Sequence, residues 1–289
     1  MLHLPREGAL HRGLLGVAPG LGRHVEPLPA APRPAPGRHP AHSRSGRAAG
    51  RRLRASGCLH RRDTAVTARF TAAYQPADTP RSGIFVVLEG ISASGKSTLA
   101  AHLAERLGCD TFHTVPAPVS DLQPYINSRA RALPQLAFYL AGALHAADLA
   151  RHALLSGHAV ADRYVNSVIA NHAAVHGLDN ATVAAAIAPF TGYLTQPDIT
   201  VYLHTDLDEL TARMTAKPDQ SAADRDLIAN RALLRRLAEH YNEIAATDPT
   251  AYHLHTDGRT PAQLADHLTD LIHAMDQPAD ERRAPLAHT

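Results

Sequence analysis

Gly83-Ile84-Phe85-Val86-Val87-Leu88-Glu89-Gly90-Ile91-Ser92-Ala93-Ser94-Gly95-Lys96-Ser97-Thr98 is the stretch whose reading decides the fold. Its first half is a run of apolar and β-branched residues, the pattern of a strand buried on both faces. Its second half fits G-x-x-x-x-G-K-[ST], with Gly90, Gly95, Lys96 and Ser97 in the fixed places. Leu99, Leu103 and Leu107 follow at i, i+4 and i+8, which gives a helix with one apolar stripe. Gly108 stands where that helix should stop. The motif therefore comes with its required context of strand, glycine loop and helix.

The chemistry follows from that geometry. Gly90 and Gly95 let the backbone turn tightly and approach a phosphate. Successive N–H groups along Gly90, Ile91, Ser92, Ala93, Ser94, Gly95, Lys96, Ser97 and Thr98, together with the new helix's N-terminus, then face an anion. Lys96 is expected to reach the β- and γ-phosphates of ATP, and the Ser97 hydroxyl to bind Mg²⁺. A chance Gly/Ser turn would need neither the strand before it nor the helix after it.

The composition is uneven along the 289 residues. Residues 1–80 hold 13 Arg, no Lys and four acidic residues, a net charge of +9, whereas residues 81–289 carry a net −7. The part expected to fold is mildly acidic, which argues against a nucleic-acid binder. The chain has only two lysines, Lys96 and Lys217. Where Arg is used almost throughout, a compact ammonium at 96 suits a phosphate contact. Two cysteines, Cys58 and Cys109, make no disulfide framework and point to a reducing, cytoplasmic setting. No apolar run approaches the ~18 residues of a membrane span. His172 and His176 lie four apart with Asp179 nearby, but the pair lacks the Glu of H-E-x-x-H, so a solvated helix face is expected there.

Taken in order, residues 1–80 are rich in Arg, Pro, Ala and Gly, with no sustained period, and read as a disordered tail; an Arg-rich transit peptide, a basic RNA- or membrane-touching arm, and a start codon assigned too far upstream are the alternatives. Asp110–Thr114 reads as a second strand and 115–119, with two prolines, as a loop. A long helix is expected over 133–155, a third strand over 158–162, and two Ala-rich helices over 166–177 and 181–190. A fourth strand covers 198–204, and Thr205 with Asp208 resembles a capping box for a helix over 206–214. Residues 215–224 read as a polar mobile loop and 226–246 as a further helix. A fifth strand spans 251–255. Thr260-Pro261 opens a last helix to about Met275, and 277–289 reads as a polar tail. Strands alternating with helices make a parallel sheet covered on both faces, with the ligand at the carboxyl ends of the strands. The domains expected are thus the tail 1–80, a phosphate-loop α/β domain over 81–276 and the tail 277–289.

A second constellation falls at such an end. Asp162 can hold Mg²⁺ or its waters beside Ser97, and Arg163 can neutralise charge on the transferred group. An exposed ion pair at a strand end is the commoner meaning of Asp-Arg-Tyr, but a phosphate loop on another strand of the same sheet favours the functional one.

With these residues in view, the chain resembles the thymidylate kinase-like branch of P-loop kinases. The opening Phe85–Gly90 with its glycine loop looks like that family's start. Asp162-Arg163-Tyr164-Val165-Asn166-Ser167-Val168-Ile169-Ala170 matches its D-R-Y-x-x-S-x-x-A. Gln196–Leu203 is similar to its P-D strand, with Arg213 closing the next helix, and Asp224-Arg225 followed by Tyr241 resembles the end of its lid. The resemblance covers roughly residues 82–275. It implies a three-layer α/β P-loop kinase fold, a five-stranded parallel sheet with a short lid, and a homodimer. It also implies that Arg163 touches the acceptor's phosphate and that Tyr164 and Ser167 line the acceptor site. Arg225 would swing onto the transferred group.

The departures cluster on the acceptor side. Ser92 stands where the family has an acid, and Ala93 supplies no Arg from the loop, so Lys217 or Arg225 of the lid must provide that charge. Thr114-Val115-Pro116-Ala117 lacks the Arg and Glu of T-R-E-P. The family's Phe and Arg on the long helix correspond to His145 and Leu149, and its Tyr-Gln to Asn171-His172. Arg129 or Arg131 could replace a missing acceptor-side arginine.

The reading is an ATP-dependent kinase acting on a nucleoside monophosphate, dTMP or a relative. It has no nucleic-acid or membrane partner. Two alternatives stand beside it. The lost arginines suggest a kinase for an unphosphorylated or modified nucleoside or other small alcohol. Ser92 suggests an ATP-binding regulatory module without catalysis.

Overall fold

A computed structural model describes residue 76 and residues 80–276 of the chain. The tail expected over 1–80 and that over 277–289 lie almost wholly outside the described residues. β1 (Phe85–Glu89) is buried at all five positions, as its unbroken apolar run predicts. It is the central strand of a five-stranded parallel sheet of order β2-β3-β1-β4-β5. The others are β2 (Thr111–His113), β3 (Ala159–Asp162), β4 (Ile199–His204) and β5 (Ala251–His255). The expected fold class is the one observed.

Alternation along β1 sorts its side chains between two layers. Val86 and Leu88 pack on Leu99 and Leu103 of α1 (Lys96–Leu107) and on Leu264, Leu268 and Ile272 of α9 (Pro261–Asp276). Phe85 and Val87 face the other way, onto Leu140, Ala143 and Ala147 of α3 (Ala132–Ala153) and Val168 and Ala173 of α4 (Val165–His176). Tyr202 of β4 extends that second layer under α6 (Leu207–Ala216) and α8 (Arg231–Thr247). Asp198, before β4, accepts from the Phe85 backbone N–H at 2.8 Å and so fixes where the central strand begins.

Several local expectations change. A short helix α2 (Gln123–Arg129), not foreseen, fills the stretch before α3. The second Ala-rich helix is α5 (Asn180–Ile187), continued by a 3₁₀ segment to Tyr193. Asp206, not Thr205, caps α6, accepting from the backbone of Asp208 and Glu209. A carboxylate one residue closer to the helix reaches those N–H groups, while the Thr205 hydroxyl pairs with Thr256 across the sheet end. The stretch expected as a loop over 215–224 and then one helix is a loop only to Ser221. It is followed by α7 (Ala222–Ala229), then Asn230, which caps α8. His172 lies buried in α4, its ring 4.4 Å from that of His176, rather than on a solvated face. Burial, then the His176 charge, pulls its pKa down to about 4. Among the described residues no helix is long and apolar enough to cross a membrane.

Candidate active site

The site grows from the carboxyl ends of β1 and β3. Their register sets Leu88 beside Asp162, so the loop after β1 and the side chain ending β3 share one corner. Gly90 takes a φ of +142°, and a Cβ there would stand 3.0 Å from the Leu203 carbonyl oxygen. Gly95, at φ +96°, opens α1 with no side-chain cap. The first N–H groups of α1 thus have no partner within the helix and point out of its positive end.

Lys96 folds back over this loop. Its Nζ donates to the Ile91 carbonyl at 2.5 Å and to Ser94 Oγ at 3.0 Å. Burial, and then the Arg163 charge, pull its pKa well below the ordinary lysine value. Ser97 Oγ donates to Asp162 Oδ2 at 2.5 Å. The other carboxylate oxygen, Oδ1, is buried with no protein partner. A hydroxyl beside a carboxylate with a free oxygen is a hard-oxygen donor set of the kind that suits Mg²⁺. His113, ending β2, brings Nδ1 to 3.5 Å from Asp162 Oδ2. Sequence reasoning missed it; the pointer was that the strand paired with β3 must end at the same corner.

Arg163 has φ +72°, rare for a residue with a side chain. That turn sends its guanidinium under the loop, where Nη1 donates to the Gly90 carbonyl (2.7 Å), Tyr241 Oη (2.9 Å) and Ser167 Oγ (3.2 Å). Glu89 lies alongside, fully buried, accepting from the backbone N–H groups of Tyr164 and Ser167 and from the Ser167 hydroxyl. Burial pushes its pKa up to about 7, even with the Ser167 bond and the Arg163 charge pulling the other way. Asn171 joins the group by donating to the Ser167 carbonyl and to Tyr241 Oη.

The same turn carries Tyr164 away from this corner. It is 2% exposed and packs edge-on against Phe85, 5.6 Å between centroids. The structure thus puts Tyr164 in the core rather than on the acceptor side. Ser167 is buried under Glu89. His145 lies on the exposed face of α3. The α3 side chains turned toward α2 and α4 are Gln135 and Tyr139, which both bond Asn127 of α2, while Gln135 also meets His176 of α4. Arg129 and Arg131 are exposed at the junction of α2 and α3.

The lid meets the loop through a carboxylate that sequence reasoning did not single out for this contact. Asp224, 1% exposed, accepts from Ser92 Oγ at 2.5 Å on Oδ1 and from Lys217 Nζ at 3.2 Å on Oδ2. Arg225, its neighbour, donates instead to the Gln220 carbonyl on the exposed side of the lid. On the far side of the loop, Ser94, Gly95, Leu203, Arg213, Thr256 and Arg259 line a cavity of about 140 Å³. A larger cleft of about 620 Å³ runs from Glu89, which ends β1, and Tyr164 and Asn166, just after β3, to Pro197, Pro249 and Thr250, which precede β4 and β5.

Residues 88–260 match the family model for thymidylate kinase. The thymidylate kinase of Pseudomonas fluorescens Pf-5 is 30% identical over 204 residues, covering 66% of this chain and 95% of that one. That of Synechococcus sp. strain CC9605 is 29% identical over 225 residues, 71% of this chain and 95% of its own. Among solved structures, the thymidylate kinase of Candida albicans superposes with a TM-score of 0.56 at 21% identity, over 68% of this chain and 94% of that one, a likeness of fold.

Proposed function

The chain belongs to the thymidylate kinase family, and from that premise we propose that residues 81–276 form a kinase domain transferring the γ-phosphoryl group of ATP to dTMP or a close relative. The observation that carries the reading is the convergence at one corner of an uncapped helix N-terminus, Lys96, and the Ser97–Asp162 pair with its free oxygen.

Each group then has work to do. The backbone N–H groups from Ile91 to Thr98 cradle the ATP phosphates, and Lys96 moves from the Ile91 carbonyl onto the β/γ oxygens. Ser97 and Asp162 would hold Mg²⁺, which would supply charge neutralisation for the phosphates. Arg213 and Arg259, either side of the smaller cavity, receive the base and sugar of ATP. Neither was foreseen as a contact, although Arg213 stood out as the residue closing its helix. Arg163 presents the acceptor's phosphate, and Glu89 with Tyr241 fixes the guanidinium beneath Gly90. An acceptor phosphate oxygen attacks the γ-phosphorus, the bond to the β-bridging oxygen breaks, and ADP leaves. Positioning and electrostatics supply most of the acceleration. Lys217, not Arg225, is the lid cation facing the loop.

The test is an acceptor panel with ATP in excess and ADP release as readout. dTMP is expected to be turned over in preference to thymidine. Faster phosphorylation of thymidine, or ATP binding with no transfer to any monophosphate, would overturn the reading.

A further inference from the structure

The lid joins the phosphate loop through one buried carboxylate. Asp224 sits in the first turn of α7, an eight-residue helix on the outside of the molecule, yet it is 1% exposed. A carboxylate in that place ordinarily serves as the N3 partner of a capping box, and Asp224 does so. It accepts from the Ser221 backbone N–H at 3.0 Å, while its own N–H donates to Ser221 Oγ. Capping occupies only Oδ2. Oδ1 is committed to Ser92, 132 residues earlier and at the tip of the phosphate loop. A cap has no need of that second contact.

The charges around the seam show what it accomplishes. Lys96, Arg163 and Lys217 converge near the loop, and the charges of Arg163 and Lys217 both oppose protonation of Lys96. Three cations at one corner repel one another unless anions stand between them. Asp162 answers on the metal side, and Asp224 is the carboxylate in contact with Lys217. Lys217 has a long, flexible stem and is 37% exposed, so an ammonium useful to a developing transition state must be held in place.

We propose that Asp224 is a positioning residue for phosphoryl transfer. Its carboxylate, anchored to the phosphate loop by Ser92, holds the lid closed with Lys217 over the loop's mouth. This rests on the kinase reading above. One carboxylate at the seam suffices, and the geometry does not require it to come from the lid. Ser92 and Asp224 are in direct contact, so exchanging them should keep the arrangement.

The experiment uses the full chain with ATP, Mg²⁺ and dTMP, and follows hydrogen exchange of residues 217–229 with ADP bound. D224N is expected to lower kcat tenfold or more, with KM for ATP changed less than threefold, and to speed lid exchange. S221A removes the cap and spares the Ser92 contact, so it should cost kcat less than threefold. K217A combined with D224N should be no slower than K217A alone. S92D alone sets two carboxylates together and should resemble D224N, whereas S92D with D224S should recover at least tenfold in kcat over either single variant. Equal losses in S221A and D224N, or no recovery in the exchanged pair, would overturn the proposal. Lid exchange needs no acceptor. If the unaltered chain does not phosphorylate dTMP, the functional reading fails, and unchanged exchange in D224N would separately refute the latch.

Discussion

Arg163 and Glu89 show how one backbone angle organises the corner beneath the phosphate loop. The positive φ at 163 turns consecutive side chains apart, the guanidinium under Gly90 and the Tyr164 ring into the core. Strain of this kind costs on the order of 1–3 kcal/mol and persists where surroundings over-determine it. Here the surroundings are the Glu89 carboxylate bonded to the two N–H groups just downstream. Glu89 ionises at about 7 in the folded chain against an ordinary 4.5. Between those values the folded state binds more proton than the unfolded one, so stability falls as pH rises through the window. The full effect is on the order of 3 kcal/mol. His172, with its pKa pulled down to about 4, contributes a rise over the lower part of the same window. The decline should therefore appear in the stability difference between the unaltered chain and Glu89→Gln, followed by urea unfolding from pH 4.5 to 8; a difference that does not change with pH would assign it elsewhere. Lys96→Ala tests the neighbouring cation. Transfer to dTMP should fall roughly 10²–10³-fold or more, as for other removed transition-state donors, with the melting temperature unchanged. Normal turnover by that variant would exclude Lys96 from the chemistry.

At the scale of elements, α3 shows how closely a helix is fitted to the end of the sheet. Gly142 lies where the helix crosses the end of β2, and a Cβ would meet Val115 Cγ2 at 2.6 Å and the Thr114 carbonyl oxygen at 2.8 Å. Gly142→Ala gains about 1 kcal/mol in helix propensity but forces backbone apart, at a cost of about 1–3 kcal/mol. A lowered urea midpoint with unchanged slope is the expected result; a stabilised protein would show that the loop after β2 yields freely. Elements were legible where local pattern and burial agree. β1 is apolar throughout because both faces are covered, and Asp162-Arg163 follows an apolar run for the same reason. The lid was less legible. Ser221 and Asp224 spell a capping box, but Thr-Ala-Lys-Pro-Asp-Gln is polar enough to read as loop, and α7 takes its burial from Asp224 and Leu227 alone. The Ser92–Asp224 contact had no signature at all, since its partners are neighbours only once β1 and the lid are folded together. His172 misled because its spacing from His176 fits a solvated face as well as a packed one.

At the scale of the molecule, the charge divide along the chain coincides with the extent of its likeness to other kinases. Residues 1–80 carry +9 and the remainder −7, and the family match falls wholly in the second part. The Pseudomonas kinase finds 95% of its own length within 66% of this chain. Among the described residues, the contacts that begin the fold lie past residue 80. Arg81 reaches Asp198 and the Gln196 carbonyl, the Ser82 hydroxyl reaches the Leu155 carbonyl, and Asp198 holds the start of β1. A chain of Pro80–Thr289 keeps all of these and every residue placed in the site. It is therefore expected to melt within about 2 °C of the full chain, because a stability change below ~1 kcal/mol moves the midpoint by no more than a few degrees in a domain of this size. Its kcat and KM for ATP and dTMP should be unchanged. Its behaviour on ion exchangers should reverse, from a weakly basic chain to an acidic one, since net charge governs such non-specific binding. Loss of activity or a fall of more than about 5 °C would place residues before 80 within the folded unit, and the kinase domain would then have to be redrawn upstream of Arg81.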